Sequence, residues 1–482
     1  MTMKITAGGK DTVGDMHRVV QSIPASYTVW KDGTQAIAES NMEGGTDYTT
    51  GTDAVVIQNA VDASPATGGK IVLNAPTFDL YNWIDVKNLN NCIIDGLGVT
   101  TLKLQSDAIA AFNNSTSAVT SNVTIQNLTI DGNSKNSFCI ALNNNCTHYR
   151  LSNLYIKNGG SHLIYSGPSY YLTIDNCVFD HNALLAGADM VAVGGEDLLI
   201  YGNTFIKSAG SLGGACLTSG GMKRARILGN NFKISDLCYA SISLENNYGV
   251  FNDVVISDNT VSAVAGDITK YGGMNIGNSL LHLFENAVVT NNIIEGGSVV
   301  ATYVYDLTVK GNQMRNSIYG LLASNSKRII ISDNIVKNTG MDSPGTGDKS
   351  GIFLTVCDTA TITNNLVTDT QAGAARTTPW GIDIGDASYT LVANNRVENC
   401  GWCFVPADGI GIRLRNGATR NVIAGNVVKD NNGWGIQLDT GAVENFVHGN
   451  FACNNTTGAL GDSGTDTYKR DNYDESGLVA ET

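Results

Sequence analysis

The chain has few prolines and few charged residues for its length. It holds 7 prolines in 482 residues, and charged residues make up 15%. Long helices need many Glu, Lys, Ala and Leu residues, so this composition argues against a helical fold. Glycine, with 54 residues, is abundant instead, and asparagine is also frequent. Low charge with many Gly and Asn residues is typical of short strands joined by tight turns.

The sequence also lacks a basic surplus, a long apolar run and a secretory signal. Its net charge is -14, and nucleic-acid binding needs a basic surface, so we expect no nucleic-acid partner. No apolar run reaches the length of a membrane span, so we predict no membrane-spanning segment. Residues 1–22 lack the apolar core of a signal peptide.

The spacing of the cysteines and of the six histidines does not indicate a metal site. The ten cysteines are spread along the chain, unlike those of a small disulfide scaffold, so we predict mostly buried thiols. Cys400 and Cys403 form a CGWC motif. A redox CxxC motif opens a helix beside a strand, whereas this one falls in a predicted turn, which argues against redox chemistry or zinc binding.

A phrase of apolar residues around one Asn recurs along the chain, as in RIIISDNIVKNTG at 328–340. Its copies are separated by 20 to 33 residues, a period that indicates a solenoid. Each unit holds short alternating segments rich in Val, Ile and Thr, and no unit holds a helical pattern. The sequence therefore predicts an all-β parallel β-helix of about 14 coils, roughly 65 Å long at the interstrand spacing. The repeated Asn residues are Asn127, Asn153, Asn176, Asn203, Asn230, Asn259, Asn292, Asn312, Asn334, Asn365, Asn395, Asn426 and Asn450.

The repeated Asn has a predicted scaffold role. Asn tolerates the left-handed backbone of a sharp bend between strands, and stacked amides can hydrogen-bond from coil to coil. The N-terminal end needs a cover, and GTDAVVIQNAVDAS predicts a capping helix over 53–63, with Thr52 or Asp53 as N-cap. We divide the chain into a leader or capping segment (1–50), the β-helix (51–458) and a polar tail (459–482). The tail is either disordered or covers the last coil.

Asp53, the segment IQNAVDA at 57–63 and the segment GGKIVL at 68–73 resemble the opening motifs of the pectate-lyase-like superfamily. Many of its members begin with Asp, IQxAIDxA and GGxVxLPxGxY, and this chain departs with NAPTFDL in place of PxGxY. The resemblance implies a single-stranded, right-handed parallel β-helix for the whole chain. The superfamily contains lyases, hydrolases, epimerases and non-enzymes, so the resemblance leaves the activity open.

Known catalytic motifs are absent. The NTD, DD, GHG and RIK motifs of polygalacturonase-type hydrolases do not occur, nor does the DPHE-like run of the calcium-dependent epimerase module. There is also no phosphate-binding loop, HExxH or GxSxG. Candidate functional residues must therefore come from the stacking of the coils.

One family of strands opens with Gly and carries charged residues on adjacent coils. Alternation sends Ile352, Ile382 and Ile412 inward, so Asp383 and Arg413 are predicted side by side on the outer surface. Such a row differs from the Ser, Thr and Asn residues of most of the rod. The predicted catalytic residues are Asp383, Asp386, Asp408, Arg413, Arg415 and Asp439.

Long insertions precede these strands, and they carry aromatic residues that we predict to form a wall beside the row. Aromatic rings beside carboxylates suit sugar rings, which present apolar faces. The alternative is that the tryptophans fill loop cores and that the row is a surface ladder of ion pairs. The predicted substrate-binding residues are Trp380, Trp402, Phe404, Trp434, Arg376, Glu245 and Asn275, with Lys270 and Tyr271 as a second base candidate.

These features favour an extracellular or virion-surface enzyme that cleaves a polysaccharide. A glycoside hydrolase would use two carboxylates. A lyase would use a base for the C5 proton and a cation for the uronate carboxylate, supplied by Arg413, Arg415 or a Ca²⁺ held by the Asp cluster. No other cofactor is predicted. The alternatives are a non-catalytic glycan-binding adhesin or tail-fibre module and a polyuronate C5-epimerase. The chain is expected to be a monomer or a homotrimer, and no coiled coil enforces the trimer.

Overall fold

A computed structural model describes most of the chain between residues 25 and 479. The described ranges are 25–65, 67–87, 89–114, 120–142, 146–182, 189–207, 214–234, 238–245, 251–263, 273–277, 284–340, 349–371, 379–401, 409–415 and 417–479.

The described residues form one helix, α1 (Asp53–Asp62), and 51 strands that belong to one continuous sheet. The first strands are β1 Tyr27–Asp32, β2 Gln35–Ser40, β3 Gly69–Asn74, β4 Thr77–Leu80, β5 Ile84–Asp85, β6 Cys92–Leu104, β7 Phe112–Asn114, β8 Thr120–Ser121, β9 Thr124–Asp131, β10 Ile140–Leu142, β11 Cys146–Thr147, β12 Arg150–Ser152, β13 Tyr155–Gly159, β14 Ile164–Tyr170, β15 Thr173–Asp175, β16 Val178–Asn182 and β17 Val191–Glu196. The middle strands are β18 Leu199–Tyr201, β19 Thr204–Lys207, β20 Ala215–Ser219, β21 Met222–Lys223, β22 Arg226–Leu228, β23 Asn231–Ile234, β24 Ala240–Leu244, β25 Phe251–Ser257, β26 Thr260–Ala263, β27 Met274–Ile276, β28 Phe284–Thr290, β29 Ile293–Glu295, β30 Val299–Thr302, β31 Val304–Lys310, β32 Gln313–Ser317, β33 Leu321–Ser324 and β34 Lys327–Ser332. The last strands are β35 Ile335–Thr339, β36 Lys349–Thr355, β37 Asp358–Thr363, β38 Leu366–Thr368, β39 Pro379–Gly385, β40 Leu391–Ala393, β41 Arg396–Glu398, β42 Ile410–Arg415, β43 Val422–Ala424, β44 Val427–Lys429, β45 Trp434–Leu438, β46 Phe446–His448, β47 Phe451–Cys453, β48 Gly458–Asp462, β49 Tyr468–Arg470, β50 Tyr473–Asp474 and β51 Gly477–Leu478.

Most coils contribute one strand to each of three faces, and these strands pair in parallel with their equivalents on the neighbouring coils. Face A includes β36, β39, β42, β45 and β48. Face B includes β37, β40, β43, β46 and β49. Face C includes β38, β41, β44, β47 and β50. The chain runs from face B to C to A in about 13 turns, which confirms the predicted β-helix.

The interior is filled by stacked identical or similar side chains. Ile352, Ile382, Ile412 and Ile436 lie in register and are buried, as predicted. Elsewhere three phenylalanines stack on successive coils, with ring centroids 4.9 and 4.6 Å apart. Full burial of each such side chain stabilises the fold by about 1.5–3 kcal/mol. Because alternation fixes which side chains point inward, it also fixes which residues face outward on face A.

The corner between faces B and C holds the predicted Asn ladder. The backbone N–H and Nδ2 of Asn334 both donate to Oδ1 of Asn365, at 3.0 Å each, and Nδ2 also donates to a carbonyl of the preceding coil. The same pattern links Asn203 through to Asn472, so these buried amides satisfy one another from coil to coil.

The predicted left-handed conformation of the repeated Asn is wrong for most coils. In the ladder the preceding residue has the positive φ, as in Asp333 (57°) and Asn364 (57°), while the Asn amide points into the corner. Only in the early coils does the repeated Asn itself have positive φ, as in Asn153 (52°). In these coils the Asn is in register with Gly202, the residue before Asn203 of the ladder. The repeated Asn of the early coils therefore lies one position ahead of the ladder Asn of the later coils.

The N-terminal cover is α1 together with the hairpin of β1 and β2, of which β1 extends face B by pairing with β3. The predicted apolar side of the helix is buried. Thr52 is the N-cap but its side chain makes no capping hydrogen bond. The carboxylate of Asp53 instead accepts the N–H of Asp79 at 2.6 Å and pairs with Lys31 at 2.7 Å, which ties the helix to the first coil.

At the other end, residues assigned to a polar tail form further strands. β48, β49 and β50 pair in parallel with the preceding coil on faces A, B and C, and β51 folds back on β50. This segment therefore lies on the last apolar coil and shields the sheet edge that would otherwise be open.

Candidate functional site

Face A carries one continuous outward row, and the charged residues occupy its C-terminal part. Adjacent positions in the row are in backbone register from coil to coil. The described row reads Thr218, Ser243, Asn275, Val300, Leu322, Phe353, Asp383, Arg413, Gln437 and Gly461. Asp383 and Arg413 are therefore neighbours in the row, as the sequence predicted.

The carboxylate of Asp383 is fully buried and belongs to an ion pair with Arg415. Nε of Arg415 donates to Oδ1 at 3.2 Å, and its Nη2 lies 3.1 Å from Oδ2. Arg415 lies beside Gly385 in register and leans across it, since a Cβ at Gly385 would lie 3.5 Å from Nε. A larger side chain at Gly385 would block this path. Asp383 therefore orients Arg415 and has no open side for a ligand among the described residues.

Arg413 pairs in the opposite direction, with the following coil. Its Nε donates to Oδ2 of Asp439 at 2.8 Å, and its Nη2 also contacts that oxygen. Both guanidinium groups lie over the ring of Trp380, at 4.3 Å for Arg413 and 5.1 Å for Arg415. A cation over an aromatic face is held electrostatically, more strongly where water is excluded. The arrangement therefore fixes two partly exposed guanidinium groups side by side, and we call Trp380, Asp383, Arg413, Arg415 and Asp439 the arginine cluster.

Trp380 differs from its predicted role. It was placed in an insertion as an exposed stacking surface, but it lies in β39 and is buried. Its Nε1 has no hydrogen-bond partner among the described residues. The ring is the platform beneath the arginines, because the first residues of β39 fold against the neighbouring coil rather than into the loop.

Trp434 lies two coils after Trp380 on face A and is half-buried. It occupies the same register position as Trp380, through Ile410. Its ring lies across the last coil, where a Cβ at Gly458 or Gly461 would come within 2.6 or 2.8 Å of ring atoms. These glycines allow the ring to lie flat, and its outer side remains a surface on which a sugar ring could stack.

Of the remaining predicted residues that the structure describes, one lies near the arginine cluster and two lie far from it. Asp386 is exposed beside the cluster, with its carboxylate next to Gly417. Asn275 lies four row positions from Asp383, about 19 Å at the interstrand spacing, and is buried. Glu245 belongs to the coil before Asn275 and accepts a hydrogen bond from Ser243 at 2.9 Å. The structure thus separates Glu245 and Asn275 from the arginine cluster.

Several predicted residues lie outside the described ranges. They sit in the connections that lead from face C to face A, at 264–272, 372–378 and 402–408. The residues concerned are Lys270, Tyr271, Arg376, Trp402, Phe404 and Asp408.

The sequence reading missed Phe353 and Gly385. Phe353 precedes Asp383 in the row, and the guanidinium of Arg415 lies 5.2 Å from its ring. Gly385 provides the space through which Arg415 reaches Asp383. Gly385 could have been predicted from the sequence, since a Gly opposite an Arg on stacked coils marks a place where a long side chain can cross.

The described cysteines are free and buried, as predicted. Burial raises the pKa of the Cys400 thiol to about 12, which leaves little reactive thiolate at neutral pH. Cys403, its partner in the CGWC motif, lies outside the described residues. In the part of the chain that the structure describes, no helix combines the length and apolarity needed to cross a bilayer.

Comparison with known proteins gives one family match and several likenesses in shape. Residues 252–475, slightly less than half of the chain, match the family described as periplasmic copper-binding protein (NosD). No curated protein matches the sequence. The structure is similar to the A-module of mannuronan C-5 epimerase AlgE6 from Azotobacter vinelandii, with 16% identity over 87% of this chain and 96% of that module and a TM-score of 0.37.

Two further solved structures are similar in the same way. PfbA, a surface adhesin of Streptococcus pneumoniae, has 15% identity over 72% of this chain and 87% of its own, with a TM-score of 0.48. The Dettilon tailspike protein gp208 has 16% identity over 86% of this chain and 66% of its own, with a TM-score of 0.32. At these values the likenesses assign no activity to this chain.

The family description mentions copper, and copper sites use clustered His, Cys or Met ligands. The described part of the chain holds no group of three or more His, Cys, Asp or Glu side chains placed to bind a metal ion. Of the Asp cluster considered for Ca²⁺, Asp383 and Asp439 are paired with arginines, and Asp408 lies outside the described residues. The three-faced coil confirms that the chain is a right-handed parallel β-helix protein.

Proposed function

We propose that the chain binds a polysaccharide across face A and cleaves it there, as a polysaccharide lyase or a glycoside hydrolase. The observation that carries this proposal is the arginine cluster, in which Arg413 and Arg415 are held over one tryptophan by two carboxylates. A guanidinium held in one orientation offers a planar set of donors to sugar hydroxyl and carboxylate oxygens. Its order before binding reduces the entropy lost when a glycan is bound.

The burial of Asp383 changes the roles proposed for the residues of the cluster. Asp383 is a positioning residue for Arg415, since its carboxylate is covered and paired. Of the predicted catalytic carboxylates that the structure describes, Asp386 and Asp439 have contact with solvent. In a hydrolase they would serve as acid and base on either side of the glycosidic bond.

In a lyase the guanidinium groups take the main role. A base removes the C5 proton and the bond from C4 to the leaving oxygen breaks, while positive charge neutralises the uronate carboxylate. Arg413 and Arg415 supply that charge at a fixed place on a chain whose net charge is -14. The base would be Asp439 or Asp386, or Asp408 in the connection that follows Trp402.

A non-catalytic glycan-binding protein is the second candidate. It is favoured by the pairing of Asp383 and Asp439, because carboxylate oxygens that bind a guanidinium are less available to a substrate proton. The half-buried ring of Trp434 would then contribute a stacking surface without chemistry. In either case the expected place of action is a cell or virion surface, where polysaccharides are exposed.

The test is a panel of purified acidic and neutral polysaccharides incubated with the full chain. Product masses show whether the chains become shorter, which both a lyase and a hydrolase would cause. The ultraviolet absorbance of an unsaturated uronate would appear only with a lyase. Retardation in gels containing the same polysaccharides detects binding without cleavage. Exchange of the C5 proton with solvent deuterium, without chain shortening, would identify an epimerase instead. Intact and unbound glycans throughout the panel would overturn the proposal.

A further inference from the structure

A cavity of about 450 Å³ opens on face A far from the arginine cluster. One wall is formed by Tyr165, Pro168 and Tyr170 of β14, and the floor includes Ala192 of β17 and Thr218 of β20. Tyr165, Ala192 and Thr218 are consecutive positions of the outward row that later contains Asp383. Eight row positions separate Tyr165 from Asp383, which is about 38 Å at the interstrand spacing.

The cavity exists because two successive coils carry small residues beside one that carries tyrosines. Gly194 and Gly195 follow Ala192, and Gly220 and Gly221 follow Thr218 on the next coil. Gly195 is required by packing, since its φ is +126° and a Cβ there would lie 1.8 Å from a backbone oxygen. At Gly194 a Cβ would meet only a carbonyl oxygen at 3.2 Å, so the missing side chain there mainly leaves space.

The tyrosine wall is exposed, and Tyr165 is held in place by neighbouring rings. Tyr165 and Tyr170 are 38% and 42% exposed. The ring of Tyr165 packs 5.5 Å from Phe138 and 5.9 Å from His162, and His162 is bonded to a carbonyl of the next coil. An aromatic surface already fixed in position loses little entropy when a flat apolar ligand face stacks on it.

The rim of the cavity is charged but balanced. Glu196 pairs with Lys223 at 3.1 Å and with Arg224 at 3.0 Å, and Arg224 also pairs with Asp197 at 2.7 Å. The cavity lining includes Glu196 and Lys223, whose opposite charges balance. A neutral ligand with many hydroxyl groups can form hydrogen bonds with side chains of both signs.

We infer that this cavity is a second glycan subsite, which holds a neutral pyranose unit against Tyr165 and Tyr170. The volume lies in the range of small-molecule sites, and an aromatic wall beside a floor of small residues leaves room for a sugar ring that stacks on the wall. The inference rests in part on the proposed function, because it extends the glycan from the arginine cluster along face A. A chain long enough to span about 38 Å would bind both places at once and gain in avidity.

Three substitutions test the subsite. Tyr170→Ala removes one wall, and Ala192→Gln fills the floor at a row position where neighbouring coils already carry side chains as large as Tyr165. Tyr171→Ala is the matched control, because Tyr171 is 40% exposed but stacks on His148 outside the cavity. Gel retardation and titration with short and long oligosaccharides of mannan, galactan and dextran measure binding, and thermal unfolding verifies that each variant folds.

We expect at least one neutral oligosaccharide to bind the wild-type protein. Tyr170→Ala and Ala192→Gln should each weaken that binding roughly tenfold, and Tyr171→Ala should leave it unchanged. The subsite inference is overturned if no neutral glycan binds, or if the control weakens binding as much as the cavity variants do.

The failure of the subsite and the failure of the proposed function give different results. Glycan binding or cleavage that depends on Arg413 but is indifferent to Tyr170 and Ala192 would refute the subsite alone. Binding that depends on Tyr170 and Ala192, with no cleavage and no effect of Arg413→Lys, would refute the proposed function and support the subsite.

Discussion

The guanidinium of Arg413 lies 4.3 Å from the ring centroid of Trp380, which belongs to the preceding coil, while its charge is paired with Asp439 on the following coil. Three coils of face A are therefore connected through one side chain. Parallel strands stack Trp380 and Arg413 at the interstrand spacing, and Asp439 directly follows β45, so a cation, its aromatic support and its counterion come together on successive coils. The position of the guanidinium is consequently as rigid as the β-helix.

Replacement of Arg413 by Lys should weaken glycan binding or turnover by roughly tenfold, equivalent to about 1.4 kcal/mol. Lysine keeps the positive charge but loses the planar contact with Trp380 and the paired donors to Asp439. The thermal midpoint should change little, because the pair is partly exposed. Titration with a polysaccharide identified in the panel measures the effect. Arg420→Lys is the control, since Arg420 pairs with Glu444 on the surface away from face A and should leave binding unchanged.

Replacement of Asp383 by Asn should destabilise the protein by about 3 kcal/mol. Removing one partner of a buried ion pair leaves the other charge without compensation, and the Asp383 side chain is 0% exposed. Asp439→Asn, at the partly exposed pair with Arg413, should cost less. Thermal unfolding followed by circular dichroism gives both values. Equal losses in the two variants would contradict the assignment of Asp383 as the buried anchor of the cluster.

Much of face A could be predicted from the sequence because alternation fixes register. Inward Ile382 and Ile412 place Asp383 and Arg413 side by side on adjacent coils, and the structure has them in that register, although the Asp383 side chain is buried rather than exposed. The pairing could not be predicted in the same way. A long arginine reaches either the preceding or the following coil, and the direction depends on the space above Gly385, which strand alternation does not reveal.

The one-residue displacement of the early Asn copies has a related cause. Gly, Asn and Asp all tolerate a positive φ, and Asn is also the residue that forms the buried ladder. Asn153, with a positive φ, and Asn334, in the ladder, therefore look alike in the sequence although they occupy neighbouring positions of the corner. Only the strand register separates the two roles.

Replacement of Asn365 by Ala should destabilise the β-helix by several kcal/mol. Its Nδ2 donates to Ile331 and Asn395, and its Oδ1 accepts two hydrogen bonds from Asn334. Each buried group left without a partner costs about 1–3 kcal/mol. Asn364→Gly is the control at the adjacent residue, which is exposed and has a φ of 57°, a conformation that glycine adopts without strain. The thermal midpoint should fall clearly in the first variant and hardly in the second.

The stability of the N-terminal coils should depend on pH through Asp95. Burial by itself raises the pKa of this carboxyl, but hydrogen bonds from Leu97 N–H, Asn127 and Gln126, together with Lys70 at 3.1 Å, outweigh burial and hold the pKa below its usual value. A lowered folded-state pKa contributes stability that is present above the ordinary Asp value of about 3.9 and is lost as pH falls through the folded value. The thermal midpoint of the wild-type protein should therefore fall as pH decreases below about 4.

Asp95→Asn tests this dependence, because asparagine keeps the shape of the side chain but cannot ionise. The variant should melt below the wild type at neutral pH, and the two curves should converge in acid as the wild-type carboxyl becomes protonated. Asp306→Asn is the comparison, since Arg328 holds the pKa of Asp306 below its usual range too, but both side chains are exposed. Solvent screening makes such surface pairs weak. The difference in thermal midpoint between the wild type and Asp306→Asn at neutral pH should therefore be smaller. A constant gap between wild type and Asp95→Asn at every pH would show that Asp95 acts through shape and hydrogen bonding alone.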